Sequence, residues 1–157
     1  MIAAPPADTV IVCVGNSLVG DDAAGCAVHD ALISRLPSRV RLRLLGVGGI
    51  ALLDDLQGEE NLIVIDAVQL GAAPGTVHVL AWDAIPASGG TAVSLHGLGI
   101  REAVAVGRML YPEIMPRRIY LVGIEGRRFD QLGEEMTPAV AAAIDEAVSQ
   151  VLRLIAP

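Results

Sequence analysis

The sequence contains no lysine, and all eleven of its basic residues are arginines. This excludes a Walker-type phosphate loop and Schiff-base catalysis, because both need a lysine. Aromatic residues make up only 3% of the chain. The core must therefore consist of Val, Ile, Leu and Ala, as in parallel sheets covered by helices on both faces. The formal net charge is −7 and no basic stripe stands out, which argues against nucleic acid as a partner.

Long apolar runs are also missing. No run is long enough for a transmembrane helix, and the first residues lack the charged region and apolar core of a signal peptide. The two cysteines, Cys13 and Cys26, lie in a predicted strand and a predicted helix, which is typical of reduced thiols. We therefore expect a cytoplasmic protein without a membrane partner. Residues 1–157 are expected to form one domain with a loose lead-in over residues 1–8.

Hydrophobic periodicity predicts five strands and four helices. The strands are expected at about 9–14, 39–45, 62–66, 76–81 and 118–123, and the helices at about 22–36, 50–56, 98–110 and from 138 nearly to the end. The link between the third and fourth strands is too short for a crossover helix, so the fourth strand should run antiparallel to the others. The predicted fold class is α/β, a three-layer α/β/α sandwich with a mixed, mostly parallel five-stranded sheet.

The first strand and the turn after it organise the chain. Residues 9–25 (TVIVCVGNSLVGDDAAG) predict a buried strand, a tight turn, and a helix with Asp21 and Asp22 at its entrance. The simplest interpretation is that Asp21 caps the helix and Asp22 complements its dipole. If the first and third strands are neighbours, however, Asp22 lies near Asp66, because the carboxyl ends of parallel strands meet at one edge of the sheet.

His96 lies in a glycine-flanked loop before a helix, from which it could reach the same edge. Together with Asp22 and Asp66 it forms a candidate site for a divalent ion such as nickel, zinc or manganese, with one position left open. The spacing alone leaves open that Asp66 only caps a turn and that His96 is an ordinary loop histidine. His29 is too far along its helix to share an ion with Asp22, and His78 is predicted to be a surface residue of the fourth strand.

Five short sequence motifs, the first of them within residues 9–25, follow one another along nearly the whole chain. They are residues 15–25 (GNSLVGDDAAG), 62–68 (LIVIDAV), 94–99 (SLHGLG), 121–125 (LVGIE) and 136–140 (MTPAV). This series resembles the [NiFe]-hydrogenase maturation endopeptidases. The resemblance implies a phosphorylase/hydrolase-like α/β/α sandwich in which Asp22, Asp66 and His96 bind a metal and carry the catalysis.

The resemblance also implies a function. Such a protein is a hydrolase, an aspartyl-type or metal-dependent endopeptidase of hydrogenase maturation, and processes its protein substrate in the cytoplasm. It removes the C-terminal extension of a [NiFe]-hydrogenase large-subunit precursor after nickel has been inserted. The nickel is then presented by the precursor as the recognition element, while ions such as zinc or cadmium could occupy the site in vitro. We expect the protein to be a monomer.

Two departures from the family pattern leave alternatives open. Family members often carry an acidic, glycine-rich stretch after the second strand, where residues 44–47 here are LLGV. Gly126 stands where the family has a proline. One alternative is therefore a non-catalytic, chaperone-like protein that senses the nickel site of the large subunit. The other is a nucleotide-binding α/β protein unrelated to hydrogenases.

Overall fold

The computed structural model describes residues 8–46, 49–86 and 97–157, without the side chains of residues 97 and 98. The strands are β1 (Thr9–Val14), β2 (Val40–Leu45), β3 (Asn61–Val68), β4 (Val77–Ala81) and β5 (Arg118–Glu125). The helices are α1 (Ala24–Leu32), α2 (Ala51–Asp55), α3 (Gly97–Leu110) and α4 (Pro138–Leu154), with 3-10 turns at Gly20–Ala23 and Trp82–Ala84. Within the described ranges, no helix combines the length and hydropathy needed to cross a bilayer.

The sheet has five strands in the order β2-β1-β3-β5-β4. β1 pairs in parallel with β2 on one side and β3 on the other, and β3 pairs in parallel with β5. β4 is antiparallel to β5. The structure thus confirms the predicted fold class, the antiparallel fourth strand and the pairing of the first and third strands.

The two faces of β1 are buried under different helices. Ile11 and Cys13 belong to a core that includes residues of α1 and α4, whereas Val10, Val12 and Val14 belong to a core that includes residues of α2 and α3. All five side chains are fully buried. This explains why the strand is a continuous apolar run instead of an alternating one.

Three elements, α1, β3 and β5, have ends that differ from the prediction by two residues or more. The first helix is shorter than residues 22–36, because a 3-10 turn precedes Ala24 and an i+3 hydrogen bond from the N–H of Arg35 to the carbonyl oxygen of Leu32 ends it. β3 and β5 each extend two residues further than predicted, since they continue to pair up to Val68 and Glu125. These last pairs lie at the sheet edge where the candidate site is expected.

The predicted loose lead-in falls mostly outside the described residues, but Asp8 does not fit it. The N–H of Asp8 donates to the carbonyl oxygen of Arg39 at 3.0 Å, and its own carbonyl oxygen accepts from the N–H groups of Glu60 and Asn61. Asp8 is therefore held between β2 and β3 at the amino edge of the sheet.

A close backbone approach joins the end of β1 to the start of α1. A Cβ added at Gly25 would lie 2.0 Å from the carbonyl oxygen of Val14, a distance that no real Cβ tolerates. Only glycine lets the helix begin this close to the strand, and the closeness sets the position of the acidic turn between them.

We expect Gly25→Ala to lower the free energy of unfolding by about 2–3 kcal/mol, because the added methyl group forces helix and strand apart. Urea denaturation measures the loss. The matched control is Gly46→Ala, since a Cβ at Gly46 meets no described atom within 4 Å. Equal stability of the two variants would contradict the close-approach argument.

Candidate active site

Asp22 is held by the turn that carries it. It lies in the 3-10 turn Gly20–Ala23 and is only 3% exposed. The N–H of Asn16 donates to Oδ2 of Asp22 at 3.1 Å and to its carbonyl oxygen at 3.2 Å. The N–H of Asp22 in turn donates to the carbonyl oxygen of Val19 at 2.9 Å. The turn therefore fixes both the backbone and the carboxylate.

Asp66 lies on the neighbouring strand at the same edge of the sheet. It follows Ile65, which pairs with Cys13 of β1, and it stands opposite Gly123 of β5. It is also 3% exposed, and β3 contacts the Gly20–Ala23 turn. Asp66 does not end the third strand as predicted, because β3 runs on to Val68. The structure nevertheless places the two predicted carboxylates at one edge of the sheet, the edge at which open α/β sheets bind their ligands.

The third predicted site residue, His96, lies outside the described residues, and its role stays a prediction. The described chain resumes at Gly97, where α3 begins. Within the described ranges, no three His, Cys, Asp or Glu side chains are grouped so that they could hold a metal ion.

Asp21 does not cap the helix that follows it. Neither the 3-10 turn nor α1 has a side-chain cap. The Asp21 carboxylate is fully buried and instead accepts hydrogen bonds from the loop between β5 and α4. The donors are the N–H of Arg127 (2.7 Å) and of Arg128 (3.0 Å) to Oδ2, and the N–H (2.7 Å) and hydroxyl (2.9 Å) of Thr137 to Oδ1.

These hydrogen bonds keep the Asp21 carboxyl ionised. Burial alone raises the pKa of the Asp21 carboxyl, but the hydrogen bonds from Arg127, Arg128 and Thr137 outweigh it and hold the pKa below its usual range. The N–H of Asp21 also donates to the carbonyl oxygen of Arg128 at 2.8 Å. Asp21 therefore fastens the turn that carries Asp22 to the start of α4.

Glu125 is a second buried carboxylate with a structural role. Glu125 lies beyond the predicted end of the fifth strand, but it is the last residue of β5 and 3% exposed. It accepts hydrogen bonds from the N–H groups of Leu70 and Gly71, and its Oε2 lies 2.9 Å from Nε2 of His78. The prediction that His78 is a surface residue is therefore wrong: it is half-buried and pairs with Glu125.

Sequence reasoning missed the roles of Asp21 and Glu125 because their partners are more than forty positions away along the chain. A faint signal existed for Glu125, which follows directly on the apolar strand segment Ile119–Ile124. Thr137 is the N-cap residue of α4 and Pro138 opens the helix, as predicted. The Thr137 hydroxyl, however, binds Asp21 and does not cap its own helix.

Comparison with known proteins agrees with the fold. A family model described as hydrogenase maturation protease matches residues 32–154. The hydrogenase expression/formation protein HupD of Rhodobacter capsulatus is 34% identical over 156 residues, which is 98% of this chain and 73% of the relative. The hydrogenase 2 maturation protease of Escherichia coli K12 is 33% identical over 147 residues, or 91% of this chain and 87% of the relative. The chain belongs to the hydrogenase maturation protease family.

Solved structures give the same result. The hydrogenase maturating endopeptidase HybD from E. coli superposes with a TM-score of 0.81 at 31% identity, covering 94% of this chain and 91% of that structure. The maturation protease described here is thus an endopeptidase and a hydrolase. The comparisons support this function over the non-catalytic and nucleotide-binding alternatives.

The glycine that replaces the family's proline has a physical reason in this maturation protease. A Cβ at Gly126 would lie 2.7 Å from the ring of Phe129 and 3.0 Å from Cβ of Asp21. The N–H of Gly126 also donates to the carbonyl oxygen of Val68 at 3.0 Å, which proline could not do. This departure therefore belongs to the packing around Asp21. The other departure is the stretch 44–47, which lacks the acidic residue of the family. Its first residue, Leu44, is exposed near the end of β2.

We expect Asp21→Asn to lower the free energy of unfolding by about 2 kcal/mol or more at pH 7, because an amide nitrogen faces donors that the carboxylate accepts from. The effect depends on pH. Since the folded-state pKa of Asp21 lies below its unfolded value, the stabilisation is complete above the unfolded pKa of about 3.9 and is lost as the pH falls through the folded pKa.

Urea denaturation between pH 3 and pH 7 measures this difference. The gap in stability between the wild type and Asp21→Asn should be widest at neutral pH and narrow below about pH 4. Asp145→Asn, on the exposed face of α4, is the control and should cost little at any pH. A gap that stays constant with pH would contradict the ionised state of Asp21.

Proposed function

We propose that this maturation protease removes the C-terminal extension of a nickel-loaded [NiFe]-hydrogenase large-subunit precursor. The observation that carries the proposal is the pair of buried carboxylates, Asp22 and Asp66, at the carboxyl edge of β1 and β3. Relatives at 33–34% identity are named for hydrogenase maturation and formation, which supports the substrate.

The donor chemistry of the site fits a divalent ion. Carboxylate oxygens suit borderline and hard divalent ions, and one imidazole shifts the preference towards ions such as nickel or zinc. Asp22, Asp66 and His96 would hold the ion and leave a position open. We propose that the working ion is nickel carried in by the precursor, and that zinc or cadmium can take its place in vitro.

The chain's own contribution to catalysis is positioning. A bound ion supplies the precursor with a fixed point of attachment and polarises the groups around it. Asp22 is locked by Asn16, and Asp21 locks the turn that carries Asp22. Holding the scissile peptide bond in a fixed place beside Asp22 and Asp66 can lower a barrier substantially. In this proposal Asp22, Asp66 and His96 are the catalytic residues of an aspartyl-type or metal-dependent endopeptidase.

We also propose that the protein acts as a monomer in the cytoplasm. Both cysteines are free thiols, which suits a reducing compartment. The precursor is then the macromolecular partner, with neither nucleic acid nor a membrane involved.

The test uses two samples of the precursor, one nickel-loaded and one nickel-free, with the protease treated beforehand with a chelator. Mass spectrometry follows loss of the C-terminal extension. We expect cleavage of the loaded sample only, because the ion on the precursor completes its ligand shell with the protease. Asp22→Ala and His96→Ala should each lower the rate by about 100-fold or more, the scale of a misplaced reacting group.

Two matched controls separate the site from general effects. Asp145→Ala removes an exposed carboxylate of α4, and His29→Ala removes a histidine of α1; both should cleave at the wild-type rate. Equal cleavage of the two precursor samples would refute recognition through nickel. Absence of cleavage by the wild type would refute the peptidase activity on this substrate.

A further inference from the structure

A groove borders the turn that carries Asp22. It has a volume of about 480 Å³, within the usual range for ligand sites. Its lining includes Leu18, Ala23, Glu134, Glu135, Met136 and Ala141. We call it the Leu18–Met136 groove. Ala23 is the residue directly after Asp22, so the groove is lined by a residue of the turn that carries the candidate catalytic carboxylate.

The walls of the Leu18–Met136 groove are fixed before any ligand binds. Val19 and Glu134 form an isolated parallel bridge, in which the N–H of Gly20 donates to the carbonyl oxygen of Glu134 at 3.0 Å. The N–H of Gly133 donates to the carbonyl oxygen of Leu18 at 2.8 Å. The Asp21 carboxylate links the same turn to the loop before α4, because it accepts hydrogen bonds from the N–H groups of Arg128 and Thr137. A preorganised groove binds at a lower entropic cost than one that must be assembled.

The chemistry of the groove is apolar with an acidic rim. Leu18 is 62% exposed, and Leu132, which precedes the lining residue Gly133, is 77% exposed. Glu134 has a cationic partner, since its Oε2 lies 3.6 Å from Nη1 of Arg128. Glu135 is exposed and pairs with no cation in the part of the chain that the structure describes. The groove thus offers aliphatic surface together with an uncompensated carboxylate.

Two other cavities do not compete for this role. One of about 320 Å³ lies at the amino edge of the sheet and is lined by residues such as Arg39 and Arg118. Another of about 340 Å³ lies between α2 and α3. Neither is lined by a residue of the turn that carries Asp22.

We propose that the Leu18–Met136 groove binds an extended segment of the precursor polypeptide next to the scissile bond. An endopeptidase has to hold such a segment near its catalytic carboxylates, and the groove is lined by Ala23 of the turn that carries Asp22. An aliphatic side chain of the segment packs against Leu18 and Met136, and a neighbouring Lys or Arg side chain faces Glu135. This inference rests on the proposed function, because it takes the precursor as the ligand.

The first test is steady-state cleavage of the nickel-loaded precursor by two groove variants. Leu18→Ser should raise KM about 5-fold through lost apolar contact, and Glu135→Gln about 3-fold through lost charge complementarity, both with kcat unchanged. The Glu135→Gln effect should shrink at high salt, because screening weakens an exposed pair.

Matched controls lie outside the groove. Leu110→Ser changes a leucine of similar exposure, 59%, at the end of α3, and Glu113→Gln neutralises an exposed carboxylate in the following loop. Both should leave KM at the wild-type value. An unchanged KM in both groove variants, or a fall in kcat alone, would overturn the proposal.

The second test does not depend on cleavage. A photo-crosslinking amino acid replaces Leu132 beside the groove, and in the control it replaces Met109 of α3, which is also 77% exposed. Irradiation with the precursor should link position 132 to residues flanking its cleavage site, with a yield several-fold above that at position 109. Equal yields, or links to other parts of the precursor, would overturn the groove proposal. Crosslinking at position 132 without any cleavage would instead refute the proposed function and leave the groove in place.

Discussion

The parallel pairing of β1 with β3 is the constraint on which the candidate site depends. Because Cys13 pairs with Ile65, the residues that follow them leave the sheet at the same edge. β1 is buried on both faces, so a shift by one residue would exchange its two sets of side chains between the two cores and mismatch the packing of both. The register of an apolar strand therefore decides where the Asp22 and Asp66 carboxyl groups meet. The close approach of Gly25 to Val14 then sets the height of the acidic turn above that edge.

Asp21 and Asp22 are adjacent and have the same side chain, but they have different roles. The oxygens of Asp21 are filled by donors of the chain itself, from Arg127, Arg128 and Thr137. The Asp21 carboxylate therefore has a structural role, because a metal or substrate could bind it only by displacing those donors. Asp22 is one position further along the 3-10 turn, and its Oδ2 accepts a hydrogen bond from the N–H of Asn16 on the loop before the turn.

Much of this arrangement could be predicted from the sequence, because it depends on local patterns. The apolar run 9–14, the short link before β4 and the proline at position 138 each dictate their own element. The last pairs of β3 with β5 and the roles of Asp21, Glu125 and His78 could not be predicted in this way. Each depends on a partner far along the chain, and local periodicity carries no information about a hydrogen bond between residues 21 and 137. Asp22 and Asp66 were predictable because strand order alone brings them to one edge.

The four buried acids at this edge, Asp21, Asp22, Asp66 and Glu125, share one electrostatic consequence. Hydrogen bonds from N–H groups stabilise an anion without cancelling its net charge, so Asp21 still contributes a full negative charge to the field. That field extends over the carboxyl edge of β1 and β3 and over the neighbouring Leu18–Met136 groove. The chain supplies no lysine, and its net charge of −7 adds in the same sense. An edge built in this way favours a divalent ion at the carboxylates and a basic segment beside Glu135. The proposed ion site and the proposed binding of a basic segment therefore have a common physical cause. Buried acids whose oxygens accept hydrogen bonds from the chain keep their negative charge, and that charge attracts cations to this edge of the sheet.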